Sequence, residues 1–566
     1  MLPELLGIVV MFIAAMAIAV PLGKYIAKVY AGEPTLLEPI MGPLERVIFR
    51  WSGIDACRDM HWKEHMVAMI MINLVWFLLG MVVLMNQGWL PLNPDGNPGM
   101  SADLAFNTAI SFVVNCNLQH YSGESGLSYL GQIYLMFLQF VSAATGMAVA
   151  AVLMVALREK TSATLGNFYA FFLKSITRVL IPISLVLAVF FLFRHMPMTF
   201  DGKDTTVSLE GDTVQVSRGP VAAFVPIKHL GTNGGGFFGA NSAHPLENPD
   251  YLTNVVEMVT QLIIPIALVF ALGFYLRRRR LAWMIFGVMT VGFLMLVIPN
   301  VVMEMRGNPA IAAMGIDMTD GAMEGKEVRF GAAASGFWTI VTTVISTGSV
   351  NAMHDSTMPL SGMNEMLAMM VNAFYGGCGV GLLNFFVYLI LAVFISGLMV
   401  GRTPEFLGKK VEAREMKIAM IIALLHPLLI LAGTALSSYL YVRSPEAYAG
   451  WLNNPGFHGF NEMLYEFTSA SANNGSGFEG LGDNTPWWNI STGIVLLLGR
   501  FLPIIGPIAI AGLLAGKKYI PESAGTLQTE TLTFGIMIFA VIAIITALAF
   551  FPALALGPIA EYFSLR

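Results

Sequence analysis

The chain has 566 residues, of which 56 % are hydrophobic and only 12 % charged, with a mean hydropathy of +0.69; a soluble chain of average composition carries about 25 % charged residues. Water is therefore not its main solvent, and a formal net charge of −5 over this length excludes a strong field that would draw the chain to nucleic acid. Cys57, Cys116 and Cys378 are too widely spaced for a disulfide framework or a CxxC metal site and are expected as unpaired thiols in apolar helices.

A spanning helix needs about 20 mainly apolar residues. One such run starts the chain, and others recur at 67–85, 133–157, 171–193, 252–276, 283–303, 359–400, 416–442, 488–514 and 532–554, which predicts ten spans. The first run precedes Lys24 and Lys28, the reverse of a secretory signal peptide, so it is expected as a retained span with its N-terminus outside. Arg46, Arg50, Arg58 and Lys63 follow the first span, and Arg158 and Lys160 the third. Arg277, Arg278, Arg279 and Arg280 follow the fifth, Arg402, Lys409, Lys410 and Arg414 the seventh, and Lys517 and Lys518 the ninth. Loops rich in Lys and Arg stay in the cytoplasm, so every second connection is assigned there, and the four consecutive arginines read as a topology anchor. The alternate loops, for example 201–218 and 317–329, and both chain ends are then expected outside.

Each of four outer connections carries an apolar segment too short to cross, followed by a polar Gly- or Asn-rich turn. They read FNTAISFVVNCNLQHYSGE (106–124), FVPIKHLGTNGGGFFGANSAHPLENP (224–249), FWTIVTTVISTGSVNAMHDS (337–356) and LYEFTSASANNGSGFEGL (464–481). Asn115, Thr232, Ser346 and Asn473 are equivalent points, separated by 117, 114 and 127 residues, so the chain is a fourfold internal repeat.

Irregular backbone at membrane depth is tolerated only where protein buries it or a watery cavity wets it, so the four turns must meet one another. Half-helices that stop at such turns aim the negative ends of their dipoles and their free carbonyls at a common axis. A ring of carbonyls is what replaces the hydration shell of a potassium ion. Asn117, Gly234, Gly348 and Gly475 stand where unusual backbone angles are needed; Asn115, Thr232, Asn233, Ser346, Thr347, Asn473 and Asn474 can add side-chain oxygens or tie the turn to the half-helix behind it. No carboxylate lies within the four turns, which favours a monovalent ion over calcium or magnesium.

The predicted fold is all-α and membrane-integral, with about ten transmembrane helices, four span–pore helix–span units around one pore, and one extra helix at each end. The units are drawn at 65–160, 161–280, 281–415 and 416–518, flanked by 1–64 and 519–566. Gly234, Gly236 and Gly239 satisfy GxGxxG, but no strand precedes them and a dinucleotide site is rejected; the sequons at Asn474 and Asn489 are read as coincidental. No Walker A pattern is present, so ATP chemistry is assigned to a partner.

The strings GTNGGGFFGANSAHPLENP, STGSVNAMHDS, SASANNGSGFEGL and GRTPEFLGKKVEAREMKIAM resemble signature segments of the KdpA family, the potassium-binding subunits of the bacterial Kdp potassium-transporting ATPase. The resemblance implies a K+ filter lined by Asn115, Cys116 and Asn117, by Thr232, Asn233 and Gly234, by Ser346, Thr347 and Gly348, and by Asn473, Asn474 and Gly475, with Gln119 at its entrance. It implies work with the P-type ATPase subunit KdpB, with KdpC and with KdpF in the bacterial inner membrane, the ion leaving sideways toward KdpB. Cys116 stands where threonine is common in the family and Thr347 where cysteine is common.

Residues 359–400 would give a helix of roughly 63 Å against a hydrocarbon core of about 30 Å, so the seventh span must break. Gly376, Gly377, Gly379 and Gly381 cluster midway and read as a gate, or as a kink for close packing. Arg500 lies too deep in the ninth span to snorkel and is expected to face the pore or a carboxylate; the resemblance implies an electrostatic barrier to leakage there, the alternative being a tie to backbone carbonyls of the glycine break. Glu257 and His426 are read as capping or packing groups. A self-contained channel or symporter of the same superfamily remains the competing reading.

Overall fold

The structure is a computed structural model that describes residues 2–401, 403–521 and 528–565; Arg402, assigned above to a basic loop, lies outside them. It is helical, and ten helices among the described residues are long and apolar enough to cross a membrane. The spans are Leu2–Ala31, Trp62–Asn86, Tyr129–Arg158, Phe168–Phe193, Tyr251–Tyr275, Arg279–Arg306, Val380–Val400, Ala413–Arg443, Pro486–Ala515 and Leu532–Leu554. The only extended segments among the described residues are two short antiparallel ribbons, Asp204–Val207 with Thr213–Val216 and Glu405–Phe406 with Lys409–Lys410.

Four half-helices, Ala102–Val113, Val221–Leu230, Gly331–Val344 and Phe457–Ala472, lie in the connections after the second, fourth, sixth and eighth spans. Each starts before the apolar segment seen in the sequence, because the opening turns, such as GAAASG and FHGFNEM, are too small or too polar to register as apolar. Of the two spans flanking a half-helix, the second is interior. The third span is 94 % buried in its most apolar stretch against 28 % for the second, and the fifth 83 % against 33 % for the fourth. The interior spans can be hydrophobic all round because their neighbours are protein rather than lipid. The first, second, fourth, eighth and tenth spans, none more than 39 % buried in its most apolar stretch, form the periphery.

Residues 359–400 are not one span. Pro359–Val371 is a short helix, the chain leaves helical geometry from Asn372 to Gly379, and only Val380–Val400 crosses. Asn372, Tyr375, Gly376 and Gly379 all have positive φ, between 43° and 80°, which no continuing helix permits. The three cysteines are free, but none sits in a helix: Cys57 is in an exposed loop, Cys116 in the first turn and Cys378 in the glycine break. All three fall where the chain turns, which spacing between cysteines does not report.

The first span is fixed to the fifth by close backbone approach. A Cβ at Gly23 would lie 2.5 Å from the carbonyl oxygen of Ala267 and 3.0 Å from the amide nitrogen of Ala271, whereas one at Gly7 would meet nothing within 4 Å. Overpacking of this kind costs about 1–3 kcal/mol. Gly23→Ala is therefore expected to lower the thermal unfolding midpoint of the detergent-purified protein, and Gly7→Ala to leave it unchanged.

Candidate functional site

The four half-helices end in the same backbone motif. The first residue of each turn is left-handed, with φ of 65° at Asn115, 50° at Thr232, 53° at Ser346 and 52° at Asn473; the third is again positive, at 60° for Asn117, 84° for Gly234, 85° for Gly348 and 108° for Gly475. The second residue donates its amide back to the half-helix, Cys116 to the Ser111 carbonyl at 3.0 Å, Asn233 to Lys228, Thr347 to Thr342 and Asn474 to Ser469, each at 2.9 Å. This is the left-handed helix stop that satisfies the orphan carbonyls of a C-terminus. Three of the four first positions are Asn or Ser and the other is threonine, although the conformation favours glycine.

The turns close on one another in cyclic order. A Cβ on Gly234 would lie 1.8 Å from the Thr347 carbonyl oxygen, one on Gly348 2.1 Å from that of Asn474, and one on Gly475 2.0 Å from that of Cys116. Between the first and second turns, the Asn115 carboxamide donates to the Thr232 carbonyl at 2.9 Å, and a Cβ on Gly235 would lie 2.6 Å from the Cβ of Asn117. Cys116, Asn233, Thr347 and Asn474 are fully buried, and their carbonyl oxygens accept no hydrogen bond among the described residues. Buried carbonyls are almost always paired, so four equivalent ones without a protein donor set these turns apart from the rest of the buried backbone.

The carboxamides at two of the second positions point backwards. Asn233 donates to the Gln139 and Ile227 carbonyls and accepts from Ser142, and Asn474 donates to the Thr342 carbonyl. They brace the turn, which leaves coordination to the backbone. One step outward a second set of contacts joins the repeats. Gln119 exchanges two hydrogen bonds with the backbone of Gly236, at 2.7 and 3.0 Å. Asn241 accepts from Ser349 at 3.2 Å and donates to the Gly234 carbonyl at 2.8 Å. His354, Tyr465 and Ser476 form a chain of 2.7 and 2.8 Å contacts between the third and fourth repeats.

The fourth junction is His120, whose Nε2 lies 3.1 Å from Glu466 Oε1 and whose Nδ1 lies 2.7 Å from Asn489 Oδ1. The Asn489 amide nitrogen donates to Asp103 and Asn484, so its oxygen faces the ring; both imidazole nitrogens meet acceptors and both carry protons. Burial alone would lower this imidazole, but Asp483 and Glu466 raise it to about 9.

Beneath the turns lies the glycine break. The Cys378 amide donates to Thr232 Oγ1 at 2.8 Å, the Gly376 amide to the Val344 carbonyl at 3.2 Å, and Ser346 Oγ to Asn372 Oδ1 at 3.0 Å. Asn372 in turn donates to the Ala472 carbonyl at 3.3 Å. The break thus docks on the second, third and fourth turns. A Cβ on Gly379 would be 2.0 Å from the Gly146 carbonyl oxygen, while one on Gly377 would be no nearer than 3.7 Å to anything. Gly381 belongs to the following helix and lies against the Tyr375 carbonyl.

Arg500 is buried at the middle of the ninth span and makes neither an ion pair nor a hydrogen bond among the described residues. Its Nη2 lies 3.3 Å from where a Cβ on Gly146 would be, beside the Cys378 carbonyl, so the expected carboxylate partner and the expected tie to the break are both absent there. Glu257 accepts from Ser242 and lies 2.9 Å from His229, and His426 bridges Ser471 Oγ and the Met369 carbonyl; both hold packed elements together. Sequence reasoning missed Lys228, a fully buried cation on the second half-helix, 2.7 Å from both Glu247 Oε1 and Ser242 Oγ. The available signal was a lysine inside the apolar run VPIKHL.

Because the folded-state value of His120 is raised, its contribution to stability is complete below the unfolded value of about 6.5 and disappears as pH rises through about 9. The unfolding midpoint is expected to fall across that interval, and His120→Gln to flatten that part of the profile.

The family described as KdpA, potassium-transporting ATPase A subunit, matches residues 9–563. A potassium-transporting ATPase potassium-binding subunit from Flavobacterium johnsoniae is 69 % identical, with 100 % of each chain covered. Proteins of the same name from Bacteroides thetaiotaomicron and Geobacillus kaustophilus are 61 % and 48 % identical, covering 99 % and 98 % of this chain and 100 % and 98 % of theirs. Among solved structures, the potassium transporter TrkH from Vibrio parahaemolyticus shares the fold at a TM-score of 0.50 and 14 % identity, over 77 % of this chain and 83 % of that one. The chain belongs to the KdpA family, the A subunits of potassium-transporting ATPases.

Proposed function

We propose that this chain binds and selects K+ at the ring of four turns and passes it to a P-type ATPase partner of the KdpB kind, held with KdpC and KdpF in the bacterial inner membrane, for ATP-driven uptake. The observation that carries the reading is the set of four equivalent, buried carbonyls, of Cys116, Asn233, Thr347 and Asn474, that accept no hydrogen bond among the described residues. Carbonyl oxygens held at fixed spacing replace the water lost by an alkali cation, and spacing decides which cation is replaced well. The absence of any carboxylate from the four turns agrees with a monovalent ion. Relatives named as potassium-binding subunits at 48–69 % identity support the same substrate. With both termini outside, Gln119 stands at the entrance of the filter, and the hydrolysis of ATP belongs to the partner.

The glycine break is the gate in this reading, and Arg500 the barrier below it. A small cavity lined by Asn372, Asn384, Tyr388, His426 and Ser471 lies beside the break and supports a sideways exit. An unpaired guanidinium under the turns repels a cation that continues straight down. A self-contained channel would lack the need for such a block.

Two tests follow from the geometry. Gly234→Ser places an atom 1.8 Å from the Thr347 carbonyl, so the turns must separate. Apparent K+ affinity is expected to fall at least about tenfold, with loss of discrimination among K+, Rb+, Na+ and NH4+ in competition assays; a small side chain at Gly450, which meets nothing within 4 Å, serves as control. Unchanged discrimination by Gly234→Ser would remove the filter assignment.

At the break, Gly379→Ala combines a φ of 80° with a 2.0 Å clash, whereas Gly377→Ala has room. Gly379→Ala is expected to impair K+-stimulated ATP hydrolysis by the assembled complex, and Gly377→Ala to leave it near wild type. Equal behaviour of the two would discard the gate.

A further inference from the structure

Away from the turns, three chain segments bring a second set of ligating groups together. Asp355 lies on the segment that leaves the third turn, His458 and Glu462 occupy one face of the fourth half-helix at i and i+4, and Glu561 stands on the short terminal helix Ala560–Ser564. His458 Nε2 is 2.9 Å from Asp355 Oδ1, and one ligand atom from each of Asp355, His458 and Glu462 lies within 4.8 Å of the others. The Asp355 and Glu462 carboxylates converge at Gly480, where a Cβ would be 2.4 Å from Glu462 Oε1 and 2.9 Å from Asp355 Oδ2.

An ion-pair network alone leaves this cluster unsatisfied. Glu462 is fully buried, its Oε1 accepts only a 3.3 Å contact from the Asn454 amide, and its Oε2 has no partner. No lysine or arginine pairs with Asp355, Glu462 or Glu561 among the described residues, so one imidazole faces three carboxylates. A buried carboxylate oxygen without a donor is costly unless a cation meets it or a proton neutralises it.

We propose that Asp355, His458 and Glu462 form a binding site for a first-row divalent transition-metal ion of the zinc class. His458 Nε2 and one oxygen from each carboxylate supply three ligands, the number found where a fourth position is left to water. Glu561 completes the arrangement. Its Oε1 is 2.7 Å from His458 Nδ1 and its Oε2 accepts from the Asn461 carboxamide at 2.6 Å, which orients the imidazole so that Nε2 faces the ligand. A carboxylate behind a metal-bound histidine is the usual second partner of such an imidazole. A cleft of about 460 Å³, walled in part by Asp355, His458 and Glu561, gives the ion access. Ligands of a tetrahedral ion at about 2.0–2.1 Å lie roughly 3.4 Å apart, so side-chain rotations of under about 1.5 Å close the site. The ion would pin the segments that follow the third and fourth turns to the terminal helix.

The test uses the purified ATPase complex, stripped with EDTA and titrated with Zn2+ in equilibrium dialysis. One equivalent is expected that depends on this chain: Glu462→Gln and Asp355→Asn should each weaken it more than about tenfold, and Glu561→Gln by about 10-fold with the stoichiometry kept. Zinc-edge X-ray absorption of the wild-type complex should show one nitrogen ligand with oxygens near 2.0–2.2 Å, the nitrogen being lost in His458→Gln. Zinc binding of equal strength in wild type and in the Glu462 and Asp355 variants overturns the proposal. So does the absence of a one-nitrogen site in the wild-type spectrum, which needs no variant to fold.

Discussion

The constraint on which this structure depends is the accounting of backbone polar groups where no water can help. A half-helix that stops inside the protein leaves carbonyls at its end, and the chain that follows brings amides of its own. Here the amides turn back: those of Cys116, Asn233, Thr347 and Asn474 are each consumed by the helix behind, and this frees the carbonyls of the same residues to point forward. One backbone motif thus solves the local problem of ending the helix and creates the collective problem of four unpaired oxygens. In the proposed filter a cation at the axis would satisfy the second without disturbing the first.

Four such turns repel one another and would drift apart without external bracing. The bracing is ionic and buried. Lys228 with Glu247 stands behind the second turn, Lys326 with Glu304 at 2.8 Å behind the third, and His120 with Glu466 joins the first repeat to the fourth. Buried pairs contribute little net stability compared with apolar packing, but removing one partner is costly, so they enforce one arrangement over its neighbours. The proposed filter would need that enforcement, because ion discrimination depends on distances between oxygens rather than on the total strength of the fold.

Much of this was legible in the residues, for physical reasons. Ten apolar runs, alternating basic connections and four Gly- or Asn-rich turns at nearly constant spacing gave the spans, the repeat and the turn positions, since each reports a local requirement of chain in lipid. The break in the long seventh run was forced by length alone. What stayed hidden were long-range pairings. Arg500 drew notice because it is isolated in its span, yet Arg178, buried against Glu45 with a 2.8 Å contact, and Lys228 did not, because their partners lie far along the chain or in a loop. The starts of the half-helices were also missed, since small and polar opening residues are buried by neighbours and not by their own hydrophobicity.

The ring is fourfold in its turns but not in its floor, and the difference bears on where an ion can go. The break is hydrogen bonded through Thr232, Val344, Ser346 and Ala472 to the second, third and fourth repeats, and among the described residues no such bond reaches the first turn. Under that side Gly146 is pressed against Cys378, with the Arg500 guanidinium alongside. The first turn is likewise the one whose third residue is asparagine; Asn117 keeps the positive φ of 60° that the other three achieve with glycine, and its carboxamide has no hydrogen-bond partner among the described residues. An ion below the ring therefore meets a docked segment on three sides and a positive charge near the fourth. A symmetric channel would give it an axial path; under the proposed function this floor leaves a lateral one, toward the partner chain.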